Sequence, residues 1–368
     1  MFLSTDDYNT KEKEGKKILS NRFLEAFQPE LFEKVGFPTR ISGNEEVYKF
    51  VDSMHDGRLR RYYGGYNLEF APTFEEFETL KTTAKDIYQF TKERYHRGII
   101  VKAPLLASIN MLRRIKYLGG GKEKLPKIFE IGGGNGILGI LLHRAGYCYI
   151  STDITQAFYL TQNHLWEGLE TDCVVECMDS LENLNDIDEH KMMHIPYWKL
   201  WELRNNSLEA DIMVANHNLC EMHERSLLFY LQYAKQLLRN SEYKLLIAQA
   251  PGSVRFRNVD YLLNTFKRMG FELLYSERFF AVFALNNKKQ TVPVHLGDLM
   301  RKESYQSAFP VCGNPLDKTA AMIYAAEQKI RDEEKVSLRE IEEYFHILDG
   351  HIDSPDEEFI HYCGYEEI

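Results

Sequence analysis

Apolar residues recur at helical spacing along residues 44–54 and 74–95, and this periodicity predicts two amphipathic helices in the first third of the chain. The second begins at Thr73-Phe74-Glu75-Glu76, where Thr73 and Glu76 fit a reciprocal capping box. Residues 103–118 predict a third helix, with Pro104 tolerated in its first turn and Gly119-Gly120-Gly121 ending it. Between the first two, Arg61-Tyr62-Tyr63-Gly64-Gly65-Tyr66-Asn67 sets aromatics beside glycines, the pattern of an ordered loop or short hairpin. The opening residues 1–17 are polar and charged.

From Leu125 the pattern changes to alternating strands and helices. Strands are expected over 127–131, 147–152 (ending at Asp153), 172–178, 210–215 and 242–250, and helices over 137–145, 156–169, 224–238 and 258–269. Residues 271–277 and 279–285 form two further strands separated almost immediately. Alternation of this kind predicts a doubly wound, mostly parallel sheet. The last two strands cannot be parallel neighbours, because a parallel crossover needs a dozen residues or more. They should form an antiparallel hairpin at one edge. The expected fold is therefore α/β and Rossmann-like, with a seven-stranded sheet of the class I methyltransferase kind by analogy of fold. A helical N-terminal region (1–124, suited to act as an acceptor lid) precedes this core domain (125–290). An acidic helical C-terminal extension (291–368) follows it, with helices over 316–331 and 338–348 and an acidic stretch at 353–358.

Composition narrows the class. With 368 residues, 44% of them apolar, the chain can bury a sizeable core. The formal net charge of -10 disfavours a phosphate backbone as partner, and the densest basic stretch, Arg58-Leu59-Arg60-Arg61, is short. Nucleic acid is therefore not the expected partner. The six cysteines (Cys148, Cys173, Cys177, Cys220, Cys312 and Cys363) contain no C-x-x-C pair. No apolar run is long enough to span a membrane. A reduced cytoplasmic protein is the expectation.

The first candidate chemistry lies in Glu130-Ile131-Gly132-Gly133-Gly134-Asn135-Gly136, where a strand feeds glycines into a helix N-terminus. Such a loop lets backbone approach a ligand closely. Two patterns fit it: the dinucleotide string Gly134-x-Gly136-x-x-Gly139, and the S-adenosylmethionine pattern of an acid followed by Gly132-x-Gly134-x-Gly136. A carboxylate at Glu130 would repel a pyrophosphate but accommodate the sulfonium and ammonium of the methyl donor. Asp153 suits either ligand, since both offer ribose hydroxyls. Asp179 follows the third expected strand, as an acceptor for an adenine amino group or as a solvated loop acid. The donor-binding set is thus Glu130, Gly132, Gly134, Asn135, Gly136, Asp153 and Asp179, with Asn216 from the next segment.

That segment is Asn216-His217-Asn218-Leu219-Cys220-Glu221-Met222-His223, at the end of the fourth expected strand. Ligands of open α/β sheets lie beyond the carboxyl ends of the strands, and this strand should neighbour the first. Methylating a hydroxyl requires removal of its proton, and histidine is the usual base near neutral pH. His217 is the candidate base. Glu221, four residues on, shares its face if the segment is helical and would orient the imidazole. Asn216 would position the acceptor or the donor's sulfonium end; His223 is a weaker candidate. The plain alternative is a helix N-terminus with capping asparagines and a solvent-facing histidine. A divalent metal held by Glu221, His217 and His223 is conceivable, but no metal site is predicted. His190 and His194 have a metal-like helical spacing without a third local ligand.

Together with His194-Ile195-Pro196-Tyr197-Trp198-Lys199-Leu200, these two segments resemble the sugar O-methyltransferase family over roughly residues 60–285. The resemblance implies an S-adenosylmethionine-dependent transfer of methyl to a hydroxyl of a sugar or nucleotide-linked sugar, in polysaccharide biosynthesis. It places the donor on Glu130, Gly132, Gly134, Gly136 and Asp153, with Asn216 and His217 after the fourth strand. Residues 62–66 and the segment of Trp198 and Trp201 are candidate acceptor walls, with Asn67 and Arg61 bonding hydroxyls; a core role suits the aromatics equally. Other small hydroxyls or amines as acceptors, an NAD-dependent oxidoreductase and a non-catalytic donor-binding partner subunit remain alternatives. A homo-oligomer is compatible with all of them.

Overall fold

A computed structural model describes residues 1–27, 39–47, 71–119, 124–181, 184, 191–203, 208–216, 218–219, 222–249, 259–277, 280–285 and 318–349. The chain starts with a helix that periodicity did not announce. Ser4 and Asp7 form a capping box at the head of α1 (Thr5–Lys16), followed by the short α2 (Asn21–Ala26). The predicted box of Thr73 and Glu76 heads α3 (Phe74–Tyr95), and α4 (Lys102–Gly119) follows. Buried Arg113 of α4 donates to Glu76 through Nε (2.7 Å) and to Ala71 O (2.9 Å), so one guanidinium ties two helices and their lead-in together.

The core domain runs β1 (Ile128–Ile131), α5 (Ile137–Arg144), β2 (Tyr149–Asp153), α6 (Gln156–Leu169), β3 (Val174–Glu176) and β4 (Met192–Pro196). It continues through α7 (Leu200–Leu203), β5 (Ile212–Asn216), α8 (Glu224–Leu237), β6 (Leu245–Gln249), α9 (Val259–Arg268), β7 (Phe271–Glu277) and β8 (Phe280–Leu285). The sheet order is β3-β4-β2-β1-β5-β6-β8-β7. All neighbours are parallel as far as β6; β8 enters antiparallel between β6 and β7, with Gln249 opposite Phe280. This is the class I methyltransferase arrangement, with β5 beside β1 as the sequence implies.

One expectation is corrected. The sheet has eight strands among the described residues, not seven. The additional one is β4, which pairs with β2 and displaces β3 to the edge. Every residue of Met192-Met193-His194-Ile195-Pro196 is buried, so the segment lacks the apolar–polar alternation that marks a half-exposed strand. Its placement also removes the helical spacing of His190 and His194: His194 is on a strand, and His190 lies outside the described residues.

Both sheet faces are covered. Phe129, Ile131, Ile150, Met193 and Met213 pack in one buried cluster with residues of α1, α2 and α8, such as Tyr8, Phe23 and Tyr230. Ile128, Tyr149, Ile212 and Val214 pack in the other with residues of α3, α4 and α5, such as Ile87, Ile109 and Leu141. The second cluster also takes in Ile323, Val336, Ile341 and Phe345 from α10 (Lys318–Asp332) and α11 (Leu338–Asp349) and the turn between them. Val336 N donates to Pro72 O (2.8 Å) and the Tyr344 hydroxyl to Lys81 O (2.9 Å). No helix among the described residues is long and apolar enough to cross a membrane. Only residues 44–47 of the expected helix over 44–54 are described; the aromatic loop 61–67 and the acidic stretch 353–358 lie outside.

Candidate functional site

The glycine loop leaves β1 at Ile131 and is stitched to β2 at once: Gly132 N and Gly133 N both donate to Thr152 O (2.8 and 3.3 Å). Gly134 and Gly136 have φ of +55° and +78°, the left-handed region that favours glycine. Their surroundings differ. A Cβ on Gly136 would stand 2.7 Å from Trp166 Nε1, whereas one on Gly134 meets nothing within 4 Å. Gly136 is thus closed against α6, and Gly134 borders open space. Asn135 Oδ1 accepts from Ile137 N (3.1 Å) and finishes the first turn of α5. From α6, Gln162 Nε2 donates to Gly134 O (2.9 Å) and Trp166 Nε1 to Gly136 O (2.8 Å).

Asp153, at the end of β2, shares this structure. Its carboxylate accepts from Gly134 N (3.1 Å), Thr155 N (2.9 Å), Thr155 Oγ1 (3.1 Å) and Gln162 Nε2 (3.2 Å). Burial pushes its pKa up to about 6 against those bonds. Glu130 lies beneath the loop, fully buried, and accepts from the Tyr149 hydroxyl. Burial raises its pKa to about 8, with the charge of Asp153 adding to the effect and the Tyr149 bond opposing it. At neutral pH Glu130 is therefore mostly a neutral acid in this fold, not the standing charge that the sequence argument gave it. Asp179 is exposed and pairs with Lys11 Nζ of α1 (2.6 Å).

Asn216 is the last residue of β5, opposite Gln249 of β6. Its Oδ1 is buried without a hydrogen-bond partner, as are both polar atoms of the Gln249 side chain. Asn218 turns back to donate through Nδ2 to Ile131 O and, at 3.4 Å, to Gly132 O, locking the segment after β5 onto the glycine loop. His217 and Glu221, the candidate base and its partner, lie outside the described residues. His223 caps α8, its Nδ1 accepting from Arg225 N (3.2 Å).

The structure therefore brings Gly132, Gly134, Asn135, Gly136, Asp153 and Asn216 to one end of the sheet, with Glu130 below them and Asp179 held by α1. Sequence reasoning missed Gln162, Trp166 and Asn218. The first two carry a helix-phase signal, lying four residues apart on α6 as Glu130 and Asp153 flank the loop; Asn218 carries none beyond its neighbourhood. Trp198 is not an acceptor wall but core: it is buried, with its ring edge-on to Tyr8 (5.0 Å between centroids). Trp201 packs edge-on against Phe23 (5.6 Å). His194 is buried and stacked on Tyr159 (3.6 Å), with Nδ1 3.1 Å from Glu176 Oε2. Among the described residues no group of three or more His, Cys, Asp or Glu side chains could hold a metal ion.

No family model matches the chain, and no curated protein matches it. Among solved structures it is similar to a TehB-like SAM-dependent methyltransferase from Corynebacterium glutamicum (13% identity, 47% of this chain and 87% of that one, TM-score 0.32). It is also similar to the magnesium protoporphyrin IX methyltransferase of Synechocystis PCC 6803 with bound SAH (13% identity, 61% and 96% covered, TM-score 0.32). A third is a ribosomal protein L11 methylase from Lactobacillus delbrueckii subsp. bulgaricus (15% identity, 47% and 75% covered, TM-score 0.30). Likenesses this slight settle neither substrate nor mechanism; the fold is assigned from the strand order.

Proposed function

We propose that this chain is an S-adenosylmethionine-dependent O-methyltransferase acting on a sugar hydroxyl. The observation that carries the donor half is the loop after β1. It is open over Gly134, joined by that residue's own N–H to the Asp153 carboxylate, and flanked by Asn216 at the end of β5. The residues fit the donor. Gly134 leaves open space where a side chain would project, Asp153 offers acceptor oxygens to ribose hydroxyls, and Glu130, a mostly neutral buried acid, sets no positive charge against the sulfonium. Bound there, the donor supplies an electrophilic methyl group on a sulfonium.

The chain's own groups do the rest. Gly132, Gly134, Asn135 and Gly136 shape the cradle, with Glu130 beneath it. Asp153 orients the ribose, and Asp179 offers the adenine amino group the oxygen that Lys11 leaves free. Asn216 fixes the end at which transfer occurs. His217 takes the proton of the acceptor hydroxyl, and Glu221 steadies the imidazolium that results. The choice of a sugar rests on the resemblance of the segments containing Trp198 and His217.

Calorimetry with S-adenosylmethionine and with NAD tests the donor: the first binds and the second does not. Tight NAD binding with no methyl-donor binding would establish an oxidoreductase instead. With free and nucleotide-linked sugars as acceptors, His217→Ala keeps the donor Kd and loses about 10²- to 10⁴-fold in kcat. Full turnover in that variant removes His217 as base. Transfer to amines or aromatic hydroxyls but to no sugar replaces the acceptor class.

A further inference from the structure

Gln162 of α6 has no exposed surface, and both ends of its amide are hydrogen-bonded. Its Nε2 donates to Gly134 O (2.9 Å) and to Asp153 Oδ2 (3.2 Å), and its Oε1 accepts from Ser151 Oγ (3.0 Å). The orientation of the amide is fixed by its partners. A carbonyl and a carboxylate both require the N–H side, and turning the amide over would set oxygen against oxygen at each. The side chain also fills the space beneath the loop. A Cβ on Gly133 would stand 2.9 Å from Gln162 Oε1, and one on Gly136 would stand 3.0 Å from Gln162 Cγ.

These contacts bear directly on the site. Gly134 is the point at which the loop borders open space, and Asp153 is the carboxylate beside it. Gly134 follows β1 and Asp153 closes β2, so one NH2 group bridges the ends of two strands. The last torsion of an aspartate is soft, and the direction of its carboxylate is therefore set by what it bonds. Here Oδ1 is held by Thr155 N (2.9 Å) and Thr155 Oγ1 (3.1 Å), and Oδ2 by Gly134 N (3.1 Å) and Gln162 Nε2. Ser151, on β2 beside Asp153, steadies the far side of the amide. A buried polar network with its members paired in this way specifies one geometry.

We propose that Gln162 is a positioning residue that aims the Asp153 carboxylate at the ribose diol of S-adenosylmethionine and holds it in line with the open backbone at Gly134. It acts through those two groups and touches no ligand itself. The assignment rests on the methyl-donor reading above and makes the middle of α6 a determinant of donor selectivity.

The test is calorimetric titration of the full chain, of Gln162→Met and of Ser151→Ala with S-adenosylhomocysteine and with its 2′,3′-dideoxy analogue. Ligand-free thermal transitions show that each protein is folded. Methionine has the length of glutamine and none of its hydrogen bonds; Ser151→Ala leaves Gln162 in place and removes the bond to its Oε1. In Gln162→Met the diol form binds about 10-fold more weakly and the dideoxy form within about 2-fold of the parent, so the preference for the diol collapses. Ser151→Ala moves the same way by about 3-fold, and it decides by the same comparison if Gln162→Met does not fold. Equal weakening of both ligands, or unchanged affinities with a lower midpoint, marks a support of the fold and overturns the role of Gln162. A parent that binds both ligands alike overturns that role and leaves the donor reading standing. A parent that binds neither overturns both.

Discussion

Glu130 shows how burial changes the meaning of a residue that a motif singles out. Its ordinary pKa of 4.5 is pushed up to about 8 by burial. Below about pH 4.5 it is protonated folded and unfolded, and its full contribution to stability is present. As the pH climbs towards 8 the unfolded chain has released the proton and the folded chain still holds it, so stability falls. Asp153, moved from 3.8 to about 6, acts in the same direction over a lower window. Raising the pH from about 6.5 to about 8.5 should therefore cost the parent on the order of 2 kcal/mol, read from urea midpoints. Glu130→Gln, which keeps an acceptor for Tyr149 and cannot ionise, should lose that slope. Identical slopes in the two proteins would show that Glu130 is ionised in the fold. The glycine loop and Asp153 were legible because an acid, spaced glycines and a strand-end carboxylate are close in sequence. Asn218 was not, because its partner Ile131 is 87 residues away. Tyr8 was hidden for the same reason: nothing local in a polar, charged opening segment says that one tyrosine is wholly buried.

Among the elements, legibility followed local pattern. Helices α3, α4 and α6 carry 3.6-residue periodicity, α3 and α6 with side-chain N-caps as well, and the closing hairpin follows from strands too near to cross over. Strand β4 carries neither signal: it is short, wholly buried, and ends in proline. The C-terminal helices were legible as helices, but their destination was not. An acidic tail suggests a docking arm, whereas α10, α11 and the turn between them bury four apolar side chains in the cluster of α3 and α4. Phe345, with no exposed surface, is the sharpest probe. Phe345→Ala should destabilise the protein by about 3–5 kcal/mol, seen as a lower urea midpoint at unchanged slope. A neutral result would return the extension to the role of an arm.

At the scale of the molecule, the division at residues 124 and 290 marks a change of sequence pattern, and the packing crosses it. Ile87 and Ile109 of the N-terminal helices share one buried cluster with Ile128 and Val214 of the sheet and Phe345 of the extension. Tyr8 and Phe23 share the other with Phe129 and Met213. Each face of the sheet is thus closed by helices from outside the core domain, and stripping them would expose the inner strands to water. The three tryptophans, Trp166, Trp198 and Trp201, all lie between residues 125 and 290, and Trp198 and Trp201 also pack on α1 and α2, so their fluorescence reports on the core domain together with those two helices. Far-UV circular dichroism is weighted towards the helices, including α3, α4, α10 and α11. Shared cores require the two signals to melt together, with superimposable transitions. An earlier transition seen only in dichroism would mean that the flanking helices leave a sheet able to stand without them. Helices α3 and α4 would then be a detachable cover, not part of the core that holds the glycine loop in place.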